Sequence, residues 1–450
     1  MRYRNVVLLS LCAALAGCSA PNQQAAVQAK TATTPQATES ATLPAPTVAT
    51  RPEPTAATSQ QLDPANPPAC AFTGAATAAG QVPALDQYTF STPRTVLEGD
   101  DVAVSQWLPD NQRLLVTTET PDGQGQSITT LDVQTGATEQ YAEELSELNE
   151  RPIWLAAEQA VAFTQLLPSR KQAVLNIAYG TQKNAANEEV STEIESLFIN
   201  SDADGERIIV ASASDQPRPQ VITANAAQRQ VTRLGAPENS TSDSSAPERI
   251  ELESWEAHRT TWSPDGRQVV VYNKYGATLL DVQTGATCAL SLGDSDDGPR
   301  WALFVYWNPD GQSIAALTSV GGTGRNLPFT AMTLLDINTG VANTVDLGIQ
   351  YVYEMGWLSN GQLVALGDVA RAGQAVQLNL ILVDAQTAAY QIVLPDNTFS
   401  AGPFSAGDGG LAVAPNGSSI AARCAPSPAG GTQSTPLPAG LCVIDVQAPR

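Results

Sequence analysis

Few side chains in this chain are equipped for chemistry. His258 is the single histidine among 450 residues. A metal site built on imidazoles, or a Ser-His-Asp relay, therefore has little to draw on. Asn200-Ser201-Asp202-Ala203-Asp204-Gly205 has the spacing of the first half of a calcium loop, but its twelfth position is Ala211 rather than a bidentate Glu. A tight turn is the plainer reading, and Asp294-Ser295-Asp296-Asp297-Gly298 reads as a solvated acidic loop. Gly321-Gly322-Thr323-Gly324-Arg325 lacks the Lys-Ser/Thr of a phosphate loop and reads as a hairpin tip, with Arg325 at its end. These patterns call for no cofactor and no metal. A denser group is aromatic: Trp255, Trp301, Tyr306, Tyr351 and Tyr353, interleaved with Glu256, Arg259, Arg300 and Glu354. On strands, alternation sends successive side chains to opposite faces. Some of these rings then pack between elements, which is the plainer role, and others line an opening able to grip a peptide or sugar. His258, in the same stretch, reads as a hydrogen-bonded structural side chain.

Six cysteines complete the inventory, and the first two belong to the N-terminus. Met1-Arg2-Tyr3-Arg4 is basic, and the apolar run from Val6 to Ala16 is well short of the ~20 residues that span a bilayer. That pattern is an export signal. Its end, Leu15-Ala16-Gly17-Cys18, resembles the bacterial lipobox. The resemblance implies a signal peptide over residues 1–17, diacylglycerol on the Cys18 thiol, and acylation of the new N-terminus. An ordinary signal cut near Ala20 is the alternative. Several acyl chains make a stable anchor where one is marginal. The expected location is extracytoplasmic, lipid-anchored at the cell membrane or outer membrane. Ser19 puts no Asp retention signal after the lipidated residue.

Cys70, Cys288, Cys424 and Cys442 remain, and an even number in an exported chain suggests two disulfides. Cys424 and Cys442 flank a Pro/Gly-rich loop between two strands, where cross-strand neighbours meet disulfide geometry. Cys70 is then left to pair with Cys288; reduced cysteines are the alternative. The net charge of −22 repels nucleic acid and anionic lipid headgroups, so membrane contact is expected through the lipid alone.

Residues 18–69 read as a disordered tether. From Ser19 to Ala69 there are nine prolines, nine threonines and five charged residues, with no hydrophobic period. Such a segment cannot bury enough apolar surface to offset its chain entropy. It would reach about 40 Å as a coil and about 150 Å stretched.

The rest repeats. Trp107-Leu108-Pro109-Asp110-Asn111, Trp262-Ser263-Pro264-Asp265-Gly266 and Trp307-Asn308-Pro309-Asp310-Gly311 share one unit, with a looser copy at Trp357-Leu358-Ser359-Asn360-Gly361. A second unit follows each: Leu131 to Gly136, Leu280 to Gly285, Leu335 to Gly340 and Val383 to Ala388. Weaker copies start at Trp154, Asp202 and Ala414, so that turn anchors fall at 111, 158, 205, 266, 311, 361 and 417. The chemistry is that of turns: Pro fixes φ, Asp accepts local backbone bonds and Gly supplies positive φ. Apolar runs such as Val269-Val270-Val271 read as buried strands, and a Trp can fill the space between units. The spacing of about 45 to 60 residues suits four-stranded antiparallel blades.

This pattern resembles the WD40-like Pro-Asp-Gly repeat of TolB-like proteins and of prolyl oligopeptidase propellers. The resemblance implies an all-β fold, a β-propeller over residues 85–450. Seven blades are favoured on the count of units, over the six frequent in TolB-like proteins. The chain ends after the third strand of its last blade, and the segment from Tyr88 to Leu97 has no blade of its own. It is expected to complete the last blade and close the ring.

The function expected is a membrane-tethered protein-binding or scaffolding module of the cell envelope, with an envelope protein, peptide or glycan as partner. The alternative is a lipid-anchored receptor that takes a glycan or peptide at the channel mouth, through Trp255, Arg259, Arg300, Trp301, Tyr306, Tyr351 and Tyr353. A carboxylate-based hydrolase ranks last. The chain has no Gly-x-Ser-x-Gly elbow, no separate α/β region, no sialidase-type boxes and no distinguishable carboxylate pair. It is therefore expected not to be an enzyme.

Overall fold

The computed structural model describes residues 69–72, 74, 83–120, 125–145, 148, 151–166, 173–180, 188–194, 197–201, 205, 207–212, 220–223, 231–233, 259–273, 276–295, 298–299, 301–319, 331–347, 349, 351–359, 361–368, 378–387, 389–394, 399–400, 410–425 and 438–449. The signal peptide, Cys18 and the tether up to residue 68 lie outside them, as do Asp202 to Asp204 and the run 321–325.

The architecture is all-β. Six sheets have four antiparallel strands in sequence order. Their first strands are Val102–Trp107, Ile153–Leu155, Leu197–Ser201, Arg259–Trp262, Trp301–Trp307 and Tyr351–Ser359. These open blades one to six. A seventh sheet contains Leu411–Val413, Ser419–Cys424 and Gly440–Gln447, joined by two short strands from the other end of the described chain. Each first strand touches the first strand of the next sheet, and Leu411–Val413 touches Val102–Trp107. The first strands thus ring a common axis, and blades four, five, six and seven follow one another as the repeats do in sequence.

The ring closes where the sequence leaves a strand missing. Thr89 and Phe90 pair with Gln447 and Val446, and Arg94–Glu98 pairs with Val443 to Gly440. Both pieces supply the fourth strand of blade seven and cover an edge that would otherwise be open. Upstream, Ala69 bridges Ala289 on the outer strand of blade four, and Cys70 is bonded to Cys288 with Cα atoms 4.8 Å apart. Phe72 lies against Gly340 of blade five so closely that no side chain would fit there. Pro83 accepts a bond from Gln362 of blade six. The segment therefore straps blades four, five and six before it closes blade seven. The second disulfide joins Cys424 and Cys442 on neighbouring strands of that blade.

The core is distributed between blades. Leu155, Ala160, Leu175 and Ile177 of blade two pack with Ile199 and Ile208 of blade three. Phe304 and Leu317 of blade five pack with Val352, Met355 and Leu363 of blade six. Val104, Leu114 and Val116 of blade one pack with Ala421 and Val443 of blade seven. Strands buried on both faces explain the apolar runs of the sequence.

The tryptophans tie these layers. Trp107 donates its indole N–H to the Ala412 carbonyl of blade seven, and Trp262 to Asn200 of blade three. Trp307 donates to Thr261 of blade four, and Trp357 to Tyr306 of blade five. Each thus bonds the first strand of the preceding blade. The turns after them are built as their residue types dictate. Asp110 accepts from the N–H groups of Gln112 and Arg113, and Asp132 from those of Gln134 and Thr135. Positive φ falls at Asn111, Gly205, Gly266, Gly311, Gly361 and Gly417. In blade two the expected anchor at Glu158 is displaced: Gln159 takes the left-handed conformation, while Glu158 is buried and accepts from Tyr179. Gly417 has a second reason to be glycine, because a Cβ there would lie 2.2 Å from the Leu358 carbonyl of blade six.

Candidate functional site

Antiparallel alternation gives the propeller two unlike ends. The turns after first strands and after third strands all lie at one end, the turn end. The connections after second and fourth strands lie at the other, the loop end. First strands therefore begin at the loop end, and their opening residues surround that mouth of the channel.

At the turn end, arginines are consumed by the turns themselves. Arg113 pairs with Asp110 at 2.7 Å, and Arg267 with Asp265 at 3.8 Å. Arg207 donates to the Gly266 carbonyl and Arg94 to the Val133 carbonyl. Arg207 also lies 5.0 Å from the Trp262 ring centroid.

The loop end is organised around Glu354, whose side chain is buried within the first strand of blade six. Its Oε2 accepts from the N–H groups of Gly410 and Leu411, at 3.0 and 3.1 Å, where blade seven begins. Its Oε1 lies 2.5 Å from Arg151, just before the first strand of blade two. Blades six and two are separated by blades seven and one, so this ion pair reaches across the axis. A buried carboxylate is expensive unless paired and hydrogen-bonded, and here both oxygens are engaged.

Tyr306 of blade five stands beside the pair. Burial, then the Glu354 carboxylate and Tyr272, push its hydroxyl far above the ordinary phenol range, so it keeps its proton. Phe304, two residues earlier, has its ring centroid 6.1 Å from that of Tyr306. The Arg259 guanidinium of blade four lies over Phe304, 4.8 Å from the ring centroid, a cation–π contact. Arg423 of blade seven, whose N–H bonds the Gly410 carbonyl, has a buried guanidinium with no partner at Nε. Desolvation lowers its pKa, against the opposing charges of Asp100 and Asp101.

The aromatic and charged residues expected at a mouth are thus distributed as follows. Arg259, Tyr306 and Tyr353 lie on the first strands of blades four, five and six, and Tyr306 packs into the core between blades five and six. Trp301 and Tyr351 open the first strands of blades five and six, and only their backbones are described. Trp255, Arg300 and His258 lie outside the described residues. Sequence reasoning missed Arg151, Tyr272 and Phe304. Arg151 follows an acidic stretch, and nothing local marks it as the partner of a residue two hundred positions away.

No protein-family model matches the chain, and no curated protein matches it in sequence. Solved structures do match in fold. An oligogalacturonate lyase from Vibrio parahaemolyticus superposes with a TM-score of 0.52 at 11% identity, over 80% of this chain and 96% of that one. The propeller domain of Cps50 (Swd1) from Myceliophteria thermophila gives a TM-score of 0.46 at 10% identity, over 80% and 99%. TolB from Acinetobacter baumannii gives 0.37 at 13% identity, over 65% and 64%. At these identities the likeness shows the fold alone. It also corrects the expectation that the chain is not an enzyme. That expectation rested on the lack of a separate catalytic domain, of a nucleophile elbow, of sialidase-type boxes and of a distinguishable carboxylate pair, and a protein that is itself a lyase has this fold over 96% of its matched chain. A propeller without a second domain does not exclude catalysis.

Proposed function

We propose that the protein is a lipid-tethered, extracytoplasmic β-propeller that binds a protein partner of the cell envelope at the loop end of its channel. The carrying observation is the contrast between the two ends. Turn-end arginines are spent on the protein's own turns, whereas at the loop end Arg151 pairs with Glu354 and Arg259 rests on the Phe304 ring with no ion pair among the described residues. A rigid ring of first strands holds those groups at fixed separations, which lowers the ordering cost of binding. The lipobox at Leu15 to Cys18 and the tether that follows support the location.

Two measurements test this reading. Metabolic labelling with an alkynyl fatty acid should mark the wild-type chain and leave Cys18→Ser unlabelled; equal labelling would remove the anchor. Affinity capture of the full-length chain from its native membrane should retain a partner that Arg151→Glu loses. A second reading, a glycan receptor, draws on Trp301 and Tyr351 as residue types, because aromatic faces stack on sugars. Trp301→Ala and Tyr351→Ala should abolish glycan binding with the melting profile unchanged if that reading holds.

A further inference from the structure

We infer that the loop end holds a carboxylate-recognition site centred on Arg259, which takes a carboxylate carried by a neutral or basic peptide. The inference rests on the reading of the loop end as the binding face, and it adds the chemistry of what is bound.

The chain carries 23 Lys and Arg against 45 Asp and Glu, so a cation without a carboxylate partner is unexpected. Among the described residues the turn-end arginines are paired or donate to carbonyls. Arg259 is different. Its guanidinium rests on the Phe304 ring and makes no ion pair among the described residues. A flat guanidinium held against a ring keeps its edge, with its forked N–H donors, free for a carboxylate, and stacking removes part of the ordering cost. Glu354 is already engaged by Arg151, Gly410 and Leu411. Tyr306 keeps its proton and brings no negative charge.

The surrounding charge decides which carboxylate. A net charge of −22 repels a polyanion over a Debye length of about 8 Å and attracts a cation. A single carboxylate on a neutral or basic peptide, as at a free C-terminus, gains from the local arginine without the long-range penalty. An acidic polymer pays that penalty along its whole length.

The test uses the full-length lipoprotein in detergent micelles and a dansylated hexapeptide rich in lysine and tyrosine, as free acid and as C-terminal amide. The free acid should bind at least tenfold more tightly, and Arg259→Gln should reduce that ratio below twofold. Arg259→Lys, which keeps charge but loses the flat fork, should fall between, and Arg267→Gln at the turn end should leave the ratio unchanged. Each variant should melt with the parent; if Arg259→Gln does not, the lysine variant carries the comparison. Equal binding of acid and amide, binding of neither, or a ratio untouched by both Arg259 variants overturns the inference. An oligouronide that binds more tightly than the peptide acid overturns the choice of a peptide. If a native partner is captured through the loop end while acid and amide bind alike, the binding face stands and the carboxylate chemistry fails.

Discussion

The tryptophans of the repeat serve both packing and hydrogen bonding. Trp307 is buried between blades four and five, and its indole N–H bonds the Thr261 carbonyl at 3.2 Å. Replacing it with Phe keeps most of the ring and loses the bond, at a cost of about 1 kcal/mol. Replacing it with Ala should cost roughly 3–5 kcal/mol through the cavity. Urea unfolding distinguishes the two, and equal losses would mean that the bond, not the volume, dominates. The turn aspartates predict a pH dependence. Hydrogen bonds from Thr135 lower the pKa of Asp132 below 3.8. Asp110 and Asp265 are raised by burial but lowered further by their backbone and side-chain donors, with a net downward shift from 3.8. A carboxylate depressed in the fold contributes stability that is fully present above its unfolded value and is lost as pH falls through the folded one. The melting temperature should therefore drop below about pH 4. The drop should be shallower in the triple variant Asp110→Asn, Asp132→Asn, Asp265→Asn; an identical acid profile would remove these groups as the cause. These turns were legible because their chemistry is local: Pro, Asp and Gly act on their own backbone. The Arg151–Glu354 pair was not, because it exists only once the ring brings blade two opposite blade six.

Among the elements, the strand made from the N-terminal segment decides whether the propeller is closed. Thr89–Phe90 and Arg94–Glu98 cover the edge of Gly440–Gln447 in two pieces. Deleting residues 85–98 should uncover that edge and remove Tyr88, whose hydroxyl bonds Gln362 of blade six at 2.7 Å. Loss of a single cooperative melting transition, with aggregation, is the expected outcome; an unchanged melting profile would contradict it. This closure was readable from the sequence, since one blade lacked a fourth strand and one strand lacked a blade. The strap upstream was not readable beyond its cysteine. Ala69 to Gly74 has no period, and only the fold shows that Phe72 fills the space over Gly340. Blade two also misled locally: Ala156-Ala157-Glu158-Gln159 lacks Pro and Gly, so the left-handed position could not be assigned to Gln159 from residue type.

At the scale of the molecule, the disulfide from Cys70 to Cys288 fixes where the preceding chain joins the propeller, at the outer strand of blade four. The central claim is that the loop end is the face that meets a partner. Site-specific photocrosslinking tests it most directly, with benzoylphenylalanine placed at Tyr353 near the loop end or at Gln134 on a turn. In the native membrane, the Tyr353 position should yield a discrete crosslinked adduct and the Gln134 position none. Adducts at Gln134 with none at Tyr353 would contradict the account.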